Sequence, residues 1–467
     1  MHRLVNRPSK NLIFRARFAF WLLVGFLLVI FLTGGSVRLD VASLSILRPF
    51  SVAVLGIAVL MLRPTHIQAN RFLFWSGIST VILFLVQLVP LPPAIWNSLP
   101  GRHIISAIDQ AALNPDAWRP ITLIAGATSN AVYALAVPLA ALLLAIQLNR
   151  EERQLMLPVV LGLGLFSGLL GLLQSIGSAD SSLYFYRITN EGAAVGLFAN
   201  RNHQALLLAC LFPMLAVFAS TKSTAAGQSQ YRSMIAIGAG IILVPLLLVT
   251  GSRAGLLLGI LGLASVLLLY RKSPKDAVLK RKASGRGLYI ISGVVVVLAL
   301  GAATVIFSRG KAVERLTTQD DGGSRGEVWR LLADASSNYL PFGTGAGTFA
   351  PVYQLHEPIN MLRSVYINQA HNDFLDLYAT SGVFGMLLLI VWAIALFRAV
   401  QNRFRMTGES KTSNAFTRLG AMILLMMMLG SVADYPLRTP IISALFVLAA
   451  IWLIPSIYQK EEKAGTM

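Results

Sequence analysis

Long apolar stretches alternate with short polar segments over most of the chain. A helix that spans a membrane needs about 20 consecutive, mostly apolar residues, and twelve stretches approach that length. The sequence therefore predicts an all-α, polytopic membrane protein with about twelve transmembrane helices. The predicted helices are 18–32, 44–62, 72–89, 128–147, 155–176, 203–219, 232–250, 254–270, 288–307, 382–398, 416–433 and 438–457.

The composition supports this class and excludes others. Of the 467 residues, 55% are hydrophobic and 13% are charged, whereas a soluble domain carries about 25% charged residues. A soluble enzyme, a disordered regulator and a secreted disulfide scaffold are excluded on this ground. The single cysteine, Cys210, lies in an apolar run, so an internal disulfide and a cysteine-based zinc site are excluded as well.

The net charge of +19 follows the predicted topology. With the N-terminus in the cytoplasm, the cytoplasmic segments carry 25 basic and six acidic residues, which accounts for the whole surplus. This distribution is the positive-inside pattern of membrane proteins. It predicts that both termini are cytoplasmic and that membrane lipids contact the basic loops. It gives no reason to expect a nucleic-acid partner.

The predicted helices define three regions. A nine-helix transmembrane region covers 1–307, a large outer loop covers 308–381, and a three-helix region covers 382–467. Within the loop, an amphipathic pattern after Ser324 predicts a short helix, and a Gly-rich stretch at 341–347 predicts a turn. Such a turn either binds an anion through successive N–H groups or simply reverses the chain, and the sequence leaves both open.

Residue types that carry chemistry lie at the predicted outer ends of helices. The helix centres contain almost no Asp, Glu, Lys or Arg, although ion-coupled transporters and proton pumps keep such groups in mid-membrane. Each outer cluster alone fits an interfacial anchor or a helix cap. Four clusters at one level favour a common site. They lie at 200–203, 251–255, 371–372 and 434–438.

The residue types of these clusters indicate a substrate class. Arg binds phosphate oxygens through a planar fork, and His accepts a proton near neutral pH. Together they fit the transfer of a head group from a lipid-linked diphosphate to a hydroxyl. Two acidic pairs leave other roles open. Asp320 with Asp321 is more typical of a solvated turn than of a metal site, and Asp373 with Asp376 either orients His371 or faces water.

The third cluster resembles a family signature. His371-Asn372, nine further residues and 382–385 resemble, without a gap, the His-[Asn/Ser/Gln]-x9-Gly-x-x-Gly pattern of the O-antigen ligase/O-antigen polymerase superfamily. The other clusters, together with 325–329, also resemble recurring family segments. Twelve helices with one large loop before the tenth follow the family's order over nearly the whole chain.

The resemblance implies an enzyme of the bacterial inner membrane with a periplasm-facing site, the large loop being periplasmic. Its donor would be a glycan on undecaprenyl diphosphate, and its acceptor lipid A–core or a growing polysaccharide, including exopolysaccharide. The implied transfer is inverting and needs no metal and no cofactor. These motifs do not separate ligases from polymerases.

The resemblance also assigns roles to single residues. His371 is the expected catalytic base, and no metal ligand is expected. A transporter or flippase for a lipid-linked glycan is the alternative, and it predicts polar groups within the membrane and broken helices in matching positions. The expected substrate contacts are Arg201, His203, Arg253, Arg325, Asn372 and Arg438.

Overall fold

The computed structural model describes residues 10–38, 40–178, 181–221, 228–271, 322–362, 367–405 and 411–454, which are almost entirely helical. The first helices are α1 (Lys10–Thr33), α2 (Leu44–Met61), α3 (Pro64–Ala69), α4 (Arg71–Val86), α5 (Pro93–Trp96), α6 (His103–Ala111), α7 (Ala125–Ala134), α8 (Ala136–Ala145) and α9 (Arg150–Ile176). The others are α10 (Arg201–Ser220), α11 (Gln228–Val249), α12 (Arg253–Leu269), α13 (Gly322–Ser337), α14 (Phe349–His356), α15 (Asp373–Arg405), α16 (Lys411–Ala433) and α17 (Pro440–Leu453). Two 3-10 turns cover Ile359–Met361 and Pro436–Arg438, and two short strands, β1 (Pro90–Leu91) and β2 (Arg119–Pro120), pair antiparallel.

The chain is a multi-pass membrane protein. Seven helical stretches among the described residues are long and apolar enough to cross a membrane, and four more are apolar but shorter. Together they coincide with all the predicted membrane helices except 288–307, which lies outside the described residues, as does the start of the large loop. The seven are Leu44–Met61, Ala125–Ala145, Arg150–Ile176, Arg201–Ser220, Ser229–Val249, Asp373–Gln401 and Asn414–Ala433.

Helix α10 forms the centre of the bundle. It is almost completely buried, and it packs against α9, α11, α12 and α16. A helix that is apolar on all sides is best accommodated among other helices. The position of its first residues is therefore fixed by four neighbouring helices.

The segment that connects α9 to α10 enters the bundle, although the sequence predicts only a loop there. Residues 193–198 are buried, and backbone groups in an apolar interior need internal partners. Gln174 supplies them: its Oε1 accepts from the N–H groups of Val195 (3.2 Å) and Gly196 (2.7 Å). Ser167 Oγ accepts from the N–H of Leu197 at 3.0 Å. This buried segment leads directly into Asn200 and the start of α10.

A second, smaller core joins the large loop to α15. Side chains of α13 and α14, including Val328, Leu332 and Tyr353, pack with Ala379 of α15. Trp329 Nε1 donates to the carbonyl of Ala370 at 2.8 Å. The loop segment therefore carries α13, where the sequence predicts a short helix, and also α14, and they hold the chain just before His371.

Helix α15 begins at Asp373, nine residues before the predicted start at residue 382, and it breaks at Gly382. Gly382 has φ +55°, and a Cβ there would lie 2.1 Å from the carbonyl oxygen of Pro341. The N–H of Val383 donates to that same oxygen at 2.9 Å. The break thus lets the 341–347 turn pack directly against the helix backbone, which explains the need for glycine.

Replacing Gly382 by alanine is expected to destabilise the protein by more than about 1 kcal/mol, because a left-handed backbone and a blocked Cβ position add their costs. Gly326 in α13 is the matched control, since a Cβ there meets no atom within 4 Å. Gly326→Ala is expected to be neutral or stabilising by up to about 1 kcal/mol. Thermal unfolding of both purified variants in one detergent tests this; equal midpoints would contradict the proposed packing.

Candidate functional site

Asp434 is the centre of a hydrogen-bonded cluster at one end of the bundle. It directly follows α16 and is 4% exposed. Its Oδ1 lies 3.1 Å from Nδ1 of His371. Its Oδ2 accepts from the side-chain amides of Asn200 (3.1 Å) and Asn202 (2.9 Å). A buried carboxylate requires such donors, because burial without partners is very costly.

These donors keep Asp434 ionised. Burial by itself would raise its pKa, but hydrogen bonds from His371 and Asn202 and the electrostatic influence of His203 outweigh burial and hold the pKa of Asp434 well below its usual range. A carboxyl whose pKa is lower in the folded state stabilises that state above its ordinary pKa, and the contribution is lost as the pH falls. Asp434 therefore carries a negative charge beside His371 near neutral pH.

His371 has the geometry of a proton acceptor. Because a carboxylate only accepts hydrogen bonds, the 3.1 Å contact with Asp434 requires the proton on Nδ1, which leaves the lone pair on Nε2. The side chain is 28% exposed, and its ring meets the ring of Tyr435 at 5.0 Å. Its φ is +51°, and among the described residues only Leu113 is another non-glycine with positive φ. Such strain is typical of functional sites.

Three helices begin at this cluster, each with a side-chain cap. Asn200 Oδ1 accepts from the N–H of Asn202 at the start of α10, and Ser252 Oγ accepts from the N–H of Gly255 at the start of α12. Ser252 also donates to Oδ1 of Asn202 at 2.8 Å. Asn372 Oδ1 accepts from two N–H groups at the start of α15, each at 3.0 Å. Three positive helix ends near one point favour an anion.

The predicted substrate-contacting arginines differ in their placement. Arg201 and Arg253 are the first residues of α10 and α12, with Arg253 exposed. Arg325 of α13 places Nη1 3.5 Å from the carbonyl oxygen of Ala433. These three cations therefore lie on elements that border Asp434.

Arg438 already has anionic partners. It forms ion pairs with Asp376 and, at 3.5 Å, with Asp373, and its Nη1 donates to Gln369 at 3.0 Å. Burial by itself would lower the pKa of Arg438, but the two carboxylates raise it overall. The sequence leaves open whether Asp373 and Asp376 orient His371 or face water. Neither interpretation describes these ion pairs with Arg438. The ion pairs tie the start of α15 to the segment after α16.

Two further sequence expectations change in the structure. His203, expected at the substrate, is 1% exposed and has its Nδ1 2.8 Å from Oγ1 of Thr439. In the Gly-rich turn, the N–H groups of 343–346 all donate to protein acceptors, namely the carbonyls of Tyr339, Ala379 and Thr380 and the side chain of Gln87. The turn therefore reverses the chain and does not present these N–H groups to an anion.

The four sequence clusters meet around a residue to which the sequence assigns no role. Asp434 lies within the fourth cluster, in which the sequence analysis expects only Arg438 to contact the substrate. One feature of the sequence could have indicated a role for Asp434: it directly follows a twenty-residue apolar helix. An unpaired carboxylate is unfavourable at such a position. Asn200 and Asn202 gave no such signal, because amides cap many helices without further function.

One comparison with known proteins points to the same family. No curated protein matches the chain. Residues 238–390, about a third of the chain, match the model of the O-antigen ligase family. The matched stretch includes Ser252, Arg325, His371 and the Gly382 break, whereas Asn200 and Asp434 lie outside it. The resemblance to the O-antigen ligase/O-antigen polymerase superfamily is thereby confirmed for residues 238–390, which are similar to an O-antigen ligase domain within a multi-pass membrane protein.

Proposed function

We propose that the Asp434 cluster is the active site of a glycosyltransferase that moves a glycan from undecaprenyl diphosphate to a hydroxyl acceptor. The observation that carries the proposal is the His371–Asp434 contact, which directs a basic, partly exposed Nε2 away from a buried carboxylate. The three capped helix starts beside it give the same point an affinity for phosphate. Base and anion site are the two groups that this reaction needs.

The reaction is a single displacement. The acceptor oxygen attacks the anomeric carbon, the bond from that carbon to the diphosphate oxygen breaks, and the acceptor proton moves to Nε2 of His371. Asp434 stabilises the imidazolium that forms, as a carboxylate does for any histidine base. Arg201, Arg253 and Arg325 stabilise the leaving diphosphate. Attack opposite the leaving group inverts the anomeric centre, and no step uses a metal.

The site faces the periplasm of an inner-membrane protein in this proposal, because the basic loops then lie in the cytoplasm with both termini. The acceptor is lipid A–core or a growing polysaccharide. The glycan that accumulates on the carrier in cells without the protein tests the activity and separates the two: long chains indicate a ligase and single repeat units a polymerase. No change in carrier-linked glycans would contradict both.

Replacing Arg253 by lysine is expected to raise the KM for the donor about tenfold, because lysine keeps the charge but loses the planar fork that binds two phosphate oxygens. Arg398, which lies in α15 far along the chain from its capped start, is the matched control. Arg398→Lys is expected to leave KM unchanged. Initial rates against donor concentration measure both, and a wild-type KM in Arg253→Lys would contradict bidentate binding there.

A flippase for the same lipid-linked glycan is the second candidate. The break at Gly382 favours it, since transporters use broken helices at their binding sites. Reconstituted vesicles separate the two functions. Donor that crosses the bilayer while no glycosidic bond forms would favour the flippase, and a new glycosidic bond formed by the purified protein would favour the transferase.

A further inference from the structure

A second histidine lies beside Asp434, near the carboxylate oxygen that His371 does not contact. His203 of α10 places Nε2 3.8 Å from Oδ2 of Asp434, and its side chain is 2% exposed. Its ring meets the edge of Tyr435 at 5.2 Å and of Phe198 at 6.3 Å. Enclosed in this way, His203 has no face for a substrate.

The contacts with Thr439 and Asp434 together favour one tautomer of His203. Thr439 Oγ1 and His203 Nδ1 are 2.8 Å apart. If Nδ1 carried the proton, the lone pair of Nε2 would face the carboxylate of Asp434, which is repulsive. The favoured arrangement has the Thr439 hydroxyl donating to Nδ1 and the Nε2–H directed at Oδ2. Although Thr439 occupies the N-cap position of α17, its hydroxyl makes no capping bond.

We propose that His203 is a positioning residue: a neutral imidazole, set by Thr439, that directs its Nε2–H at Asp434 and so limits how strongly Asp434 attracts a proton on His371. The inference rests on the proposed role of His371 as base. Asn200 and Asn202 donate to Oδ2, and Nε2 of His203 lies 3.8 Å from the same oxygen, beyond hydrogen-bond distance, while Oδ1 contacts His371.

The function of this arrangement is to keep the base from becoming too basic. A carboxylate with fewer donors holds a proton, or a neighbouring imidazolium, more strongly. Without the His203 dipole, His371 would be protonated at higher pH and fewer molecules would carry the free lone pair near neutrality. Other charged or titratable groups on elements around His371 include Tyr435, Arg201, Arg253, Arg325, Arg438, Asp373 and Asp376, and the test leaves them unchanged.

The test measures protonation of His371 without any substrate. Purified protein in lipid nanodiscs is treated with diethyl pyrocarbonate, which modifies neutral imidazole, from pH about 5 to about 8. Mass spectrometry then follows modification of the peptide that contains His371. Thr439→Val removes the hydroxyl at nearly constant shape, and Thr439→Ser is the matched control because it keeps the hydroxyl.

In Thr439→Val the midpoint of modification is expected to move to higher pH by about 0.5 unit, with Thr439→Ser equal to wild type. His203→Phe keeps the ring contacts and is expected to show the same shift, so it serves if Thr439→Val does not fold. An unchanged midpoint in a folded Thr439→Val or His203→Phe overturns the inference. The readout needs no turnover, so that result leaves the transferase proposal intact. A fully active His371→Ala variant, by contrast, would contradict the transferase proposal.

Discussion

Replacing His371 by alanine is expected to lower the rate of glycan transfer about 10³-fold, because the acceptor hydroxyl loses the base that removes its proton. The KM for the donor is expected to change little, since the arginines and helix ends that bind the diphosphate stay in place. Initial rates of transfer by the purified protein measure both parameters.

The control for this variant is His103→Ala. His103 is exposed at the start of α6 and makes no contact with the Asp434 cluster among the described residues. It is expected to retain full turnover. If His371→Ala folded normally and turned over like His103→Ala, His371 would not be the base.

Replacing Arg438 by methionine is expected to destabilise the folded protein by about 3 kcal/mol. The substitution leaves Asp376, which is 1% exposed, without its cation, and an unpaired buried charge is one of the costliest defects in a protein. Protonation of the carboxyl limits the cost. The midpoint of thermal unfolding in detergent measures the effect.

A second substitution separates this structural role from substrate binding. Asp376→Asn in the Arg438→Met background removes the unpaired charge and is expected to recover part of the lost stability, as coupled neighbours do in a double-mutant cycle. Arg438→Lys keeps a cation near both carboxylates and is expected to lose less than Arg438→Met. A wild-type midpoint in Arg438→Met would contradict the ion-pair account.

The helices that cross the membrane could be predicted because their signal is local. Twenty apolar residues in a row specify a helix in lipid, where each backbone group must find its partner within the segment. Helix α9 even carries a local start signal, since Asn149 and Glu152 form a reciprocal capping box. Such features need no knowledge of the rest of the fold.

The start of α15 could not be predicted in this way. Asp373 and Asp376 interrupt the apolar pattern, so the prediction begins only at residue 382. Those carboxylates become compatible with a buried helix only because Arg438, more than sixty positions away, pairs with them. The buried entry of 193–198 is missed for the same reason, since Gln174 on a different element supplies its hydrogen bonds.

For the candidate site, the sequence predicts where the chemistry gathers but not how it is arranged. Alternation of the helices places four polar clusters at one level, and the structure brings them into contact. Which atoms meet depends on side-chain geometry that no spacing rule contains. The central position of Asp434 and the buried position of His203 therefore follow from the packing of the folded chain and not from the sequence pattern.

The most direct test of the account is a transfer reaction with the purified protein in nanodiscs, using undecaprenyl-diphosphate-linked glycan extracted from producing cells and an acceptor extract. The account predicts a new glycosidic bond and free undecaprenyl diphosphate with the wild type. It predicts a rate lower by about 10³-fold with either His371→Ala or Asp434→Asn. Transfer at the wild-type rate by either variant, provided that it is folded, would contradict the claim that these two side chains form the catalytic centre.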